Sequence, residues 1–322
     1  MADVPMHSLV FGGSGFIGTH LVRRLVAEGG SVISVDIRPS RERCDGVIYR
    51  HADVRDLSGF DPGVPVGRIY NLAAVHTTPG HEDHEYYQTN ILGASSITAL
   101  ARRLNVYEIT FTSSISVYGA GEETKNESTP PAPDTPYGRS KFMAERVQLA
   151  WMEEDERRRL VICRPAVIFG AGEGGNFTRM AKLLKKGIFI YPGRKDTIKA
   201  CFYVEDLLDA LRFSEQQEER LVLFNACYPD RYTLEEIVEA FRERHMHEAR
   251  TFLVPRTAVA YAAKVLRPFS ALGLGIHPDR VTKLVRSTDV VPGWLEAAGL
   301  AVKGKLPSAL ERWNSESGGR FV

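Results

Sequence analysis

Tyr137 and Lys141, in Tyr137-Gly-Arg-Ser-Lys141, are the pair in this sequence best suited to move a proton. A spacing of four is about one helical turn, so both side chains share a face if the segment is helical. A free phenol titrates near ~10 and is a poor base at neutral pH. A neighbouring ammonium stabilises the phenolate and brings it towards working range. Upstream, Thr112-Ser-Ser-Ile-Ser-Val-Tyr-Gly119 offers hydroxyls, Ser114 among them, for a substrate alcohol or carbonyl. Tyr-x-x-x-Lys pairs also arise by chance, and a serine-rich stretch is equally a plain strand-exit turn. The chemistry therefore depends on what positions these residues.

A second constellation lies at the N-terminus. Ser8-Leu-Val-Phe11 is a β-prone apolar run that meets Gly12-Gly-Ser-Gly-Phe-Ile-Gly18 directly. From Phe16 the pattern turns helical, with Ile17, Leu21, Val22, Leu25 and Val26 on one face, until Gly29-Gly30. Ser31 to Val35 reads as a second strand ending at Asp36. Glycines at a strand-to-helix junction permit a tight turn and close backbone approach, and free N–H groups at the helix start attract a pyrophosphate. Asp36 can accept hydrogen bonds from a ribose 2′-hydroxyl and repel a 2′-phosphate. The unit points to a dinucleotide, NAD rather than NADP, with Arg38 and Arg41 as countervailing charges.

The alternation continues. Strands are expected at Gly46–Arg50, Arg68–Leu72, Val106–Phe111 and Leu160–Cys163, and helices at Asp83–Leu104 and Tyr137–Glu154. Repeated β-α units predict an α/β fold with a doubly wound parallel sheet of the Rossmann type, binding ligand at the carboxyl ends of its strands. The dinucleotide domain is expected over residues 1–170, with a returning strand near 221–226, and a smaller C-terminal substrate-binding lobe over 171–322. That lobe is expected to hold helices at Asn176–Lys186, Asp206–Phe213, Leu234–Arg244, Thr257–Leu266 and His277–Arg286, and extended runs at Ile188–Tyr191 and Ile198–Val204.

Composition narrows the field. With 322 residues at about 150 per domain, one or two domains are expected. The 41 basic and 40 acidic residues leave no global field for nucleic acid or an anionic membrane. The four cysteines, Cys44, Cys163, Cys201 and Cys227, lie far apart, which fits reduced thiols and a cytoplasmic location. The N-terminus lacks the pattern of a secretory signal. The nearest approach to a membrane helix, Thr257–Ile276, is interrupted by Lys264, Arg267 and Pro268. His81-Glu-Asp-His84 has neither the spacing nor the setting of a metal site, and no metal is expected.

Together these motifs resemble the extended short-chain dehydrogenase/reductase family, and within it the NAD-dependent sugar-nucleotide epimerase/dehydratase group. The resemblance rests on Gly12–Gly18, Asp36, Asp53-Val-Arg-Asp56, Asn71-Leu-Ala-Ala74, Asn90, Thr112-Ser-Ser114, Val117-Tyr-Gly119 and Tyr137-x-x-x-Lys141. It implies a catalytic set of Ser114, Tyr137 and Lys141. It further implies cofactor contacts from Gly12, Gly15, Phe16, Ile17, Gly18 and Asp36, with Asp53 and Val54 at the adenine. Ala73, Ala74 and His76 would line the cofactor, with Asn90 supporting the site. Substrate contacts are implied for Asn176, Lys199 and Arg280, and a homodimer through the helices Asp83–Leu104 and Tyr137–Glu154. The apolar face expected to support that pairing is Ile91, Ala94, Ile97, Thr98 and Ala101.

Two departures matter. The 4,6-dehydratases of this group carry an acid where this chain has Ser114-Ile-Ser116, so that elimination is disfavoured. Epimerases often read Arg-Tyr-Phe-Asn after the sixth strand, where this chain reads Arg164-Pro-Ala-Val167. The leading expectation is NAD-dependent epimerisation of a nucleoside-diphosphate sugar through a keto intermediate. The alternatives are a net oxidoreductase on a keto-sugar nucleotide or a sterol-type substrate, and a non-catalytic NAD sensor.

Overall fold

The computed structural model describes residues 6–77, 80–255, 257, 285–301 and 303–322. Arg280 and the helices expected at Thr257–Leu266 and His277–Arg286 lie outside the described residues, apart from Thr257 and the last helix's final positions.

The glycine turn is framed as the sequence implies. Strand β1 (His7–Phe11) leads into α1 (Phe16–Ala27), which returns through β2 (Val32–Asp36). There follow β3 (Ile48–His51), β4 (Val66–Asn71), α2 (Asp83–Tyr87), α3 (Gly93–Leu104) and β5 (Glu108–Thr112). Next come β6 (Gly121–Lys125), α4 (Pro136–Glu153) and β7 (Arg159–Pro165). Then β8 (Val167–Phe169), α5 (Asn176–Lys185), β9 (Ile188–Gly193), β10 (Cys201–Tyr203), α6 (Val204–Glu215) and β11 (Leu221–Ala226) complete the span up to the last strand of the main sheet.

Seven strands form one sheet in the order β11-β7-β5-β4-β1-β2-β3, and the pairings from β3 through β7 are all parallel. The chain order reverses between β1 and β4. The carboxyl ends of these two strands therefore border the crevice where open α/β sheets bind ligands. The expected doubly wound parallel sheet is what the chain forms.

Two compact units divide the chain. The first comprises Met1–Gly119, Pro130–Pro165 and Val204–Phe224, and the second Ala120–Thr129, Ala166–Tyr203 and Asn225–Val322. In the first, inward residues of the strands (Leu9, Phe11, Ile33, Ile69, Ile109, Phe111) pack with Ile97, Leu100, Ala144 and Trp151 from α3 and α4. Each large side chain so buried stabilises by about 1.5–3 kcal/mol. Helix α4 starts where the sequence stops it from starting earlier. Thr135 caps it by accepting from the Gly138 amide at 3.1 Å, and Pro136 occupies the first turn, where its missing N–H costs nothing.

Among its described residues the second unit has three parallel two-stranded sheets, β8/β10, β9/β12 (Arg250–Pro255) and β6/β13 (Thr288–Val290). Helix α7 (Leu234–His245) opens with a reciprocal cap between Thr233 and Glu236. Helices α8 (Gly293–Ala297) and α9 (Lys305–Glu316) follow, and Trp313 of α9 packs edge-on to Phe241 and Phe321.

Of the five residues expected to pair helices between two copies, four are spent inside one chain and Ile91 is half-buried. Ala94, Ile97, Thr98 and Ala101 are at most 2% exposed. The large apolar side chains left exposed on this part of the chain are Leu92, at 50%, and Met143 on α4, at 48%. A stripe that sequence periodicity marks as apolar belongs first to the chain's own core.

Candidate active site

The glycine turn is built for close backbone approach. Gly12 has φ +79, and a Cβ there would stand 2.7 Å from the Ala73 amide nitrogen, so neither conformation nor space admits a side chain. At Gly18 a Cβ would collide with the Gly12 carbonyl oxygen, which fixes the contact of α1 with the turn. Gly15 precedes Phe16 and Ile17, the first residues of α1, and no side-chain cap engages the amides there. Those amides and the helix dipole are the parts that receive a pyrophosphate. At the end of β2, Asp36 accepts from the Ser14 amide at 3.1 Å and from the Arg38 amide at 3.0 Å. Its carboxylate stands beside the turn that it braces. These residues fit a dinucleotide cofactor.

Asp53 and Val54 follow β3. Arg55 binds the Asp53 carboxylate and holds it below the usual carboxylate range. Val54 is buried beneath Gly93, where a Cβ would approach its Cγ2 to 2.9 Å. Ala73 and Ala74 lie half-buried past the end of β4, and His76 is exposed.

A π-turn, Gln88–Leu92, separates α2 from α3 in what the sequence presents as one continuous helix. Such single wide turns re-aim a side chain, and this one carries Asn90. Its amide spans two segments: Oδ1 accepts from Val75 N at 3.1 Å, while Nδ2 donates to the Val75 carbonyl at 3.2 Å and to Ser140 Oγ at 2.8 Å. Ser140 Oγ in turn donates to the Tyr137 carbonyl at 2.8 Å. Asn90 thus ties the loop after β4 to the first turn of α4.

Tyr137 and Lys141 occupy successive turns of α4 on one face, as their spacing implies. Ser114 caps the 3₁₀ turn Ile115–Tyr118, accepting from the Ser116 amide at 3.1 Å, and hydrogen-bonds Tyr137. The Tyr137 ring stands 6.2 Å from that of Tyr86, whose hydroxyl donates to the Thr77 carbonyl. Burial pushes the Tyr137 phenol up to about 12, with the Ser114 hydrogen bond pulling the other way. Lys141 is 1% exposed, with its Nζ 4.4 Å from the centre of the Phe111 ring. Burial lowers its ammonium to about 7, and Glu145 opposes that fall. Desolvation is the first cause of both shifts and moves each group towards its neutral form.

Sequence reasoning missed three further side chains. Glu145 lies one turn beyond Lys141, and Arg164 of β7 forks onto it through Nε at 2.9 Å and Nη2 at 2.7 Å. Arg164 Nη1 donates to the Tyr118 hydroxyl at 2.8 Å. The spacing 137-141-145 carried a signal for Glu145; nothing local marked Arg164 or Tyr118 as its partners.

The residues expected at the substrate lie in the second unit. Asn176 opens α5, and its Oδ1 accepts from Arg179 at 2.9 Å. Lys199 donates to the Arg286 carbonyl at 2.6 Å, and burial lowers its ammonium to about 8. Among the described residues no cluster has the make-up of a metal site, and His81 pairs instead with Glu85. No helix of the described residues is long and apolar enough to cross a membrane.

Residues 8–226 match the model of the NAD dependent epimerase/dehydratase family. The chain belongs to that family. Its cofactor is accordingly NAD, in keeping with the glycine turn and Asp36. Among curated relatives, an N-acetyl-α-D-glucosaminyl-diphospho-ditrans,octacis-undecaprenol 4-epimerase of Escherichia coli O157:H7 is 31% identical over 207 residues, 64% of this chain and 62% of that protein. A UDP-glucose 4-epimerase of Vibrio cholerae is 29% identical over 196 residues, 58% of each chain. The chain thus spans about three fifths of the length of these relatives. The solved UDP-glucose 4-epimerase of Thermus thermophilus, in complex with NAD, superposes with a TM-score of 0.74 over 97% of this chain and 98% of that one. At 20% identity, that likeness shows a shared fold.

Proposed function

We propose that the protein epimerises a sugar carried on a nucleoside diphosphate, oxidising one carbinol to a transient ketone and reducing it again from the other face. The observation that carries this reading is the convergence of Ser114, Tyr137 and Lys141 in one unit, with no carboxyl group at Ser114-Ile-Ser116 to expel a hydroxyl. NAD, when bound, supplies a reversible hydride acceptor and a positive ring beside the phenol.

In this reading the Tyr137 oxygen takes the proton of the sugar hydroxyl and later returns it. Ser114 steadies the same hydroxyl by hydrogen bonding, and Lys141 offsets the phenolate charge and holds the nicotinamide ribose. Asp36 binds the adenosine ribose, Asp53 and Val54 border the adenine, and Ala73, Ala74 and His76 line the remainder. Asn176 and Lys199 serve the substrate diphosphate. A lysine there acts as a point charge and cannot fork onto phosphate as arginine does.

A second reading differs only in the carrier. The Escherichia coli relative is named for a polyprenyl diphosphate sugar and the Vibrio cholerae relative for UDP-glucose, so the diphosphate-linked sugar is common ground and the nucleoside is not. We further propose a homodimer through α3 and α4, with Leu92 and Met143 in the contact.

The test is an assay of UDP-, GDP-, CDP- and dTDP-sugars and a short-chain polyprenyl diphosphate sugar, with the cofactor balance followed. Epimer formed without net NADH supports the proposal. Stoichiometric NADH would instead mean net oxidation, and no turnover of any sugar would overturn it.

A further inference from the structure

Glu145 and Arg164 belong to neither the cofactor turn nor the proton-moving pair, yet they form the most enclosed ion pair of the first unit, at 2% and 4% side-chain exposure. Charges so far from water are costly unless fully bonded. Here both carboxylate oxygens meet the guanidinium fork, and a third N–H goes to Tyr118. That connection joins three elements: α4, which carries Tyr137 and Lys141; β7; and the 3₁₀ turn that Ser114 caps.

We propose that Glu145 and Arg164 are positioning residues that set the charge state of Lys141, Glu145 holding its proton on and Arg164 moderating that pull, while the fork keeps the Ser114 turn against α4.

The geometry gives each partner a direction. Glu145 is one turn from Lys141 on the same helix face and is the attractive charge acting on it. Arg164, forked onto the Glu145 carboxylate, weakens its field. The other groups around Lys141 are Tyr137 on α4, the uncharged Phe111 ring on β5, and His76 after β4, whose imidazole is lowered first by desolvation and then by charges that include Lys141. Tyr118 on the 3₁₀ turn is neutral. With its ammonium at about 7, Lys141 stands where a modest change of field decides whether it is charged at physiological pH. One carboxylate a helical turn away corresponds to about one pH unit, part of which the guanidinium offsets while both are present.

The inference rests on the reading of Lys141 as the cation that serves both phenol and cofactor. Its test does not need the substrate. NAD affinity is measured by calorimetry from pH 5.5 to 9, alongside NMR titration of the Lys141 side-chain nitrogen. In the wild type, NAD affinity should fall as pH rises through the Lys141 midpoint, since the charged form is the one that binds. Glu145→Gln should move both midpoints down by about one pH unit. Arg164→Gln, which unmasks Glu145, should move them up.

A purely structural pair would lower stability in both variants and shift neither midpoint. If either single variant fails to fold, the Glu145→Met/Arg164→Met double, an apolar replacement of similar bulk, takes its place. Its midpoint should fall by less than that expected for Glu145→Gln. Unchanged midpoints, or equal shifts of both single variants in one direction, would overturn the proposal. Opposite shifts in a protein that turns over no sugar would leave this inference standing and defeat the proposed function alone.

Discussion

Replacing Asp36 by alanine should erase the preference for NAD over NADP, and the surroundings of its carboxylate set the size of the effect. One oxygen braces the Ser14 amide and the other the Arg38 amide, so the side chain both holds the glycine turn and presents negative charge beside it. A hydrogen bond to a charged group contributes about 1.5–3 kcal/mol, or roughly 10–100-fold in affinity. The wild type should therefore favour NAD by at least about tenfold, with repulsion of a 2′-phosphate adding to the gap. Asp36→Ala should lose about 10–100-fold in NAD affinity and bring NADP to within a few-fold of it. Asp36→Asn removes the charge and keeps an acceptor for one of the two loop amides. It should show the same relaxed selectivity with a smaller drop in melting temperature. Calorimetric titration of the three proteins with both cofactors measures this. Equal or tighter NADP binding by the wild type would mean that Arg38 or Arg41 governs the pocket, and would refute the role given to Asp36.

Other outcomes follow from burial and charge. Lys141 has a folded-state midpoint of about 7, below the usual lysine value, so the folded chain binds fewer protons than the unfolded one between those two values. Stability should rise with pH across that window, and Lys141→Met should melt higher than wild type near pH 6, with the gain shrinking towards pH 10. Glu215, 3% exposed, accepts from Arg68 at 2.5 Å, from Arg212 at 2.9 Å and from Tyr70 at 3.1 Å. Glu215→Ala removes one of the two carboxylates that Arg68 holds and leaves Glu108 in place, so it should cost about 1–3 kcal/mol in urea unfolding; a loss under about 0.5 kcal/mol would mean that solvent reaches the cluster. Leu92→Glu with Met143→Glu should convert a dimer to a monomer by sedimentation, and an unchanged dimer would place the contact elsewhere.

The dinucleotide half was legible because its signals are local. A β-prone run, a glycine turn that admits no Cβ at Gly12, and an acid at the end of β2 lie within one short stretch of chain. The same holds for Tyr137 and Lys141, whose spacing alone puts them on one face. What escaped was long-range or irregular. The π-turn at Gln88–Leu92 leaves no mark on the hydrophobic period, yet it aims Asn90. The parallel pairing of β9 with β12 joins segments some 60 residues apart, with nothing local to announce it. Arg164 carried no role of its own in the sequence, because no feature of its neighbourhood names Glu145 and Tyr118 as partners. The desolvation that raises Tyr137 and lowers Lys141 is a property of the packed interior, and sequence spacing is blind to it.

Tyr137→Phe, assayed on the diphosphate sugar that the wild type epimerises, bears most directly on the proton transfer at the centre of the proposed reaction. The ring still fills its place against Tyr86, so NAD affinity should stay within a few-fold of wild type, but no oxygen remains to carry the proton. General acid–base groups contribute about 10²–10⁴-fold, and kcat should fall by that much or more. Retention of near-normal turnover with NAD binding intact would contradict the assignment of Tyr137 as the group that takes and returns the proton.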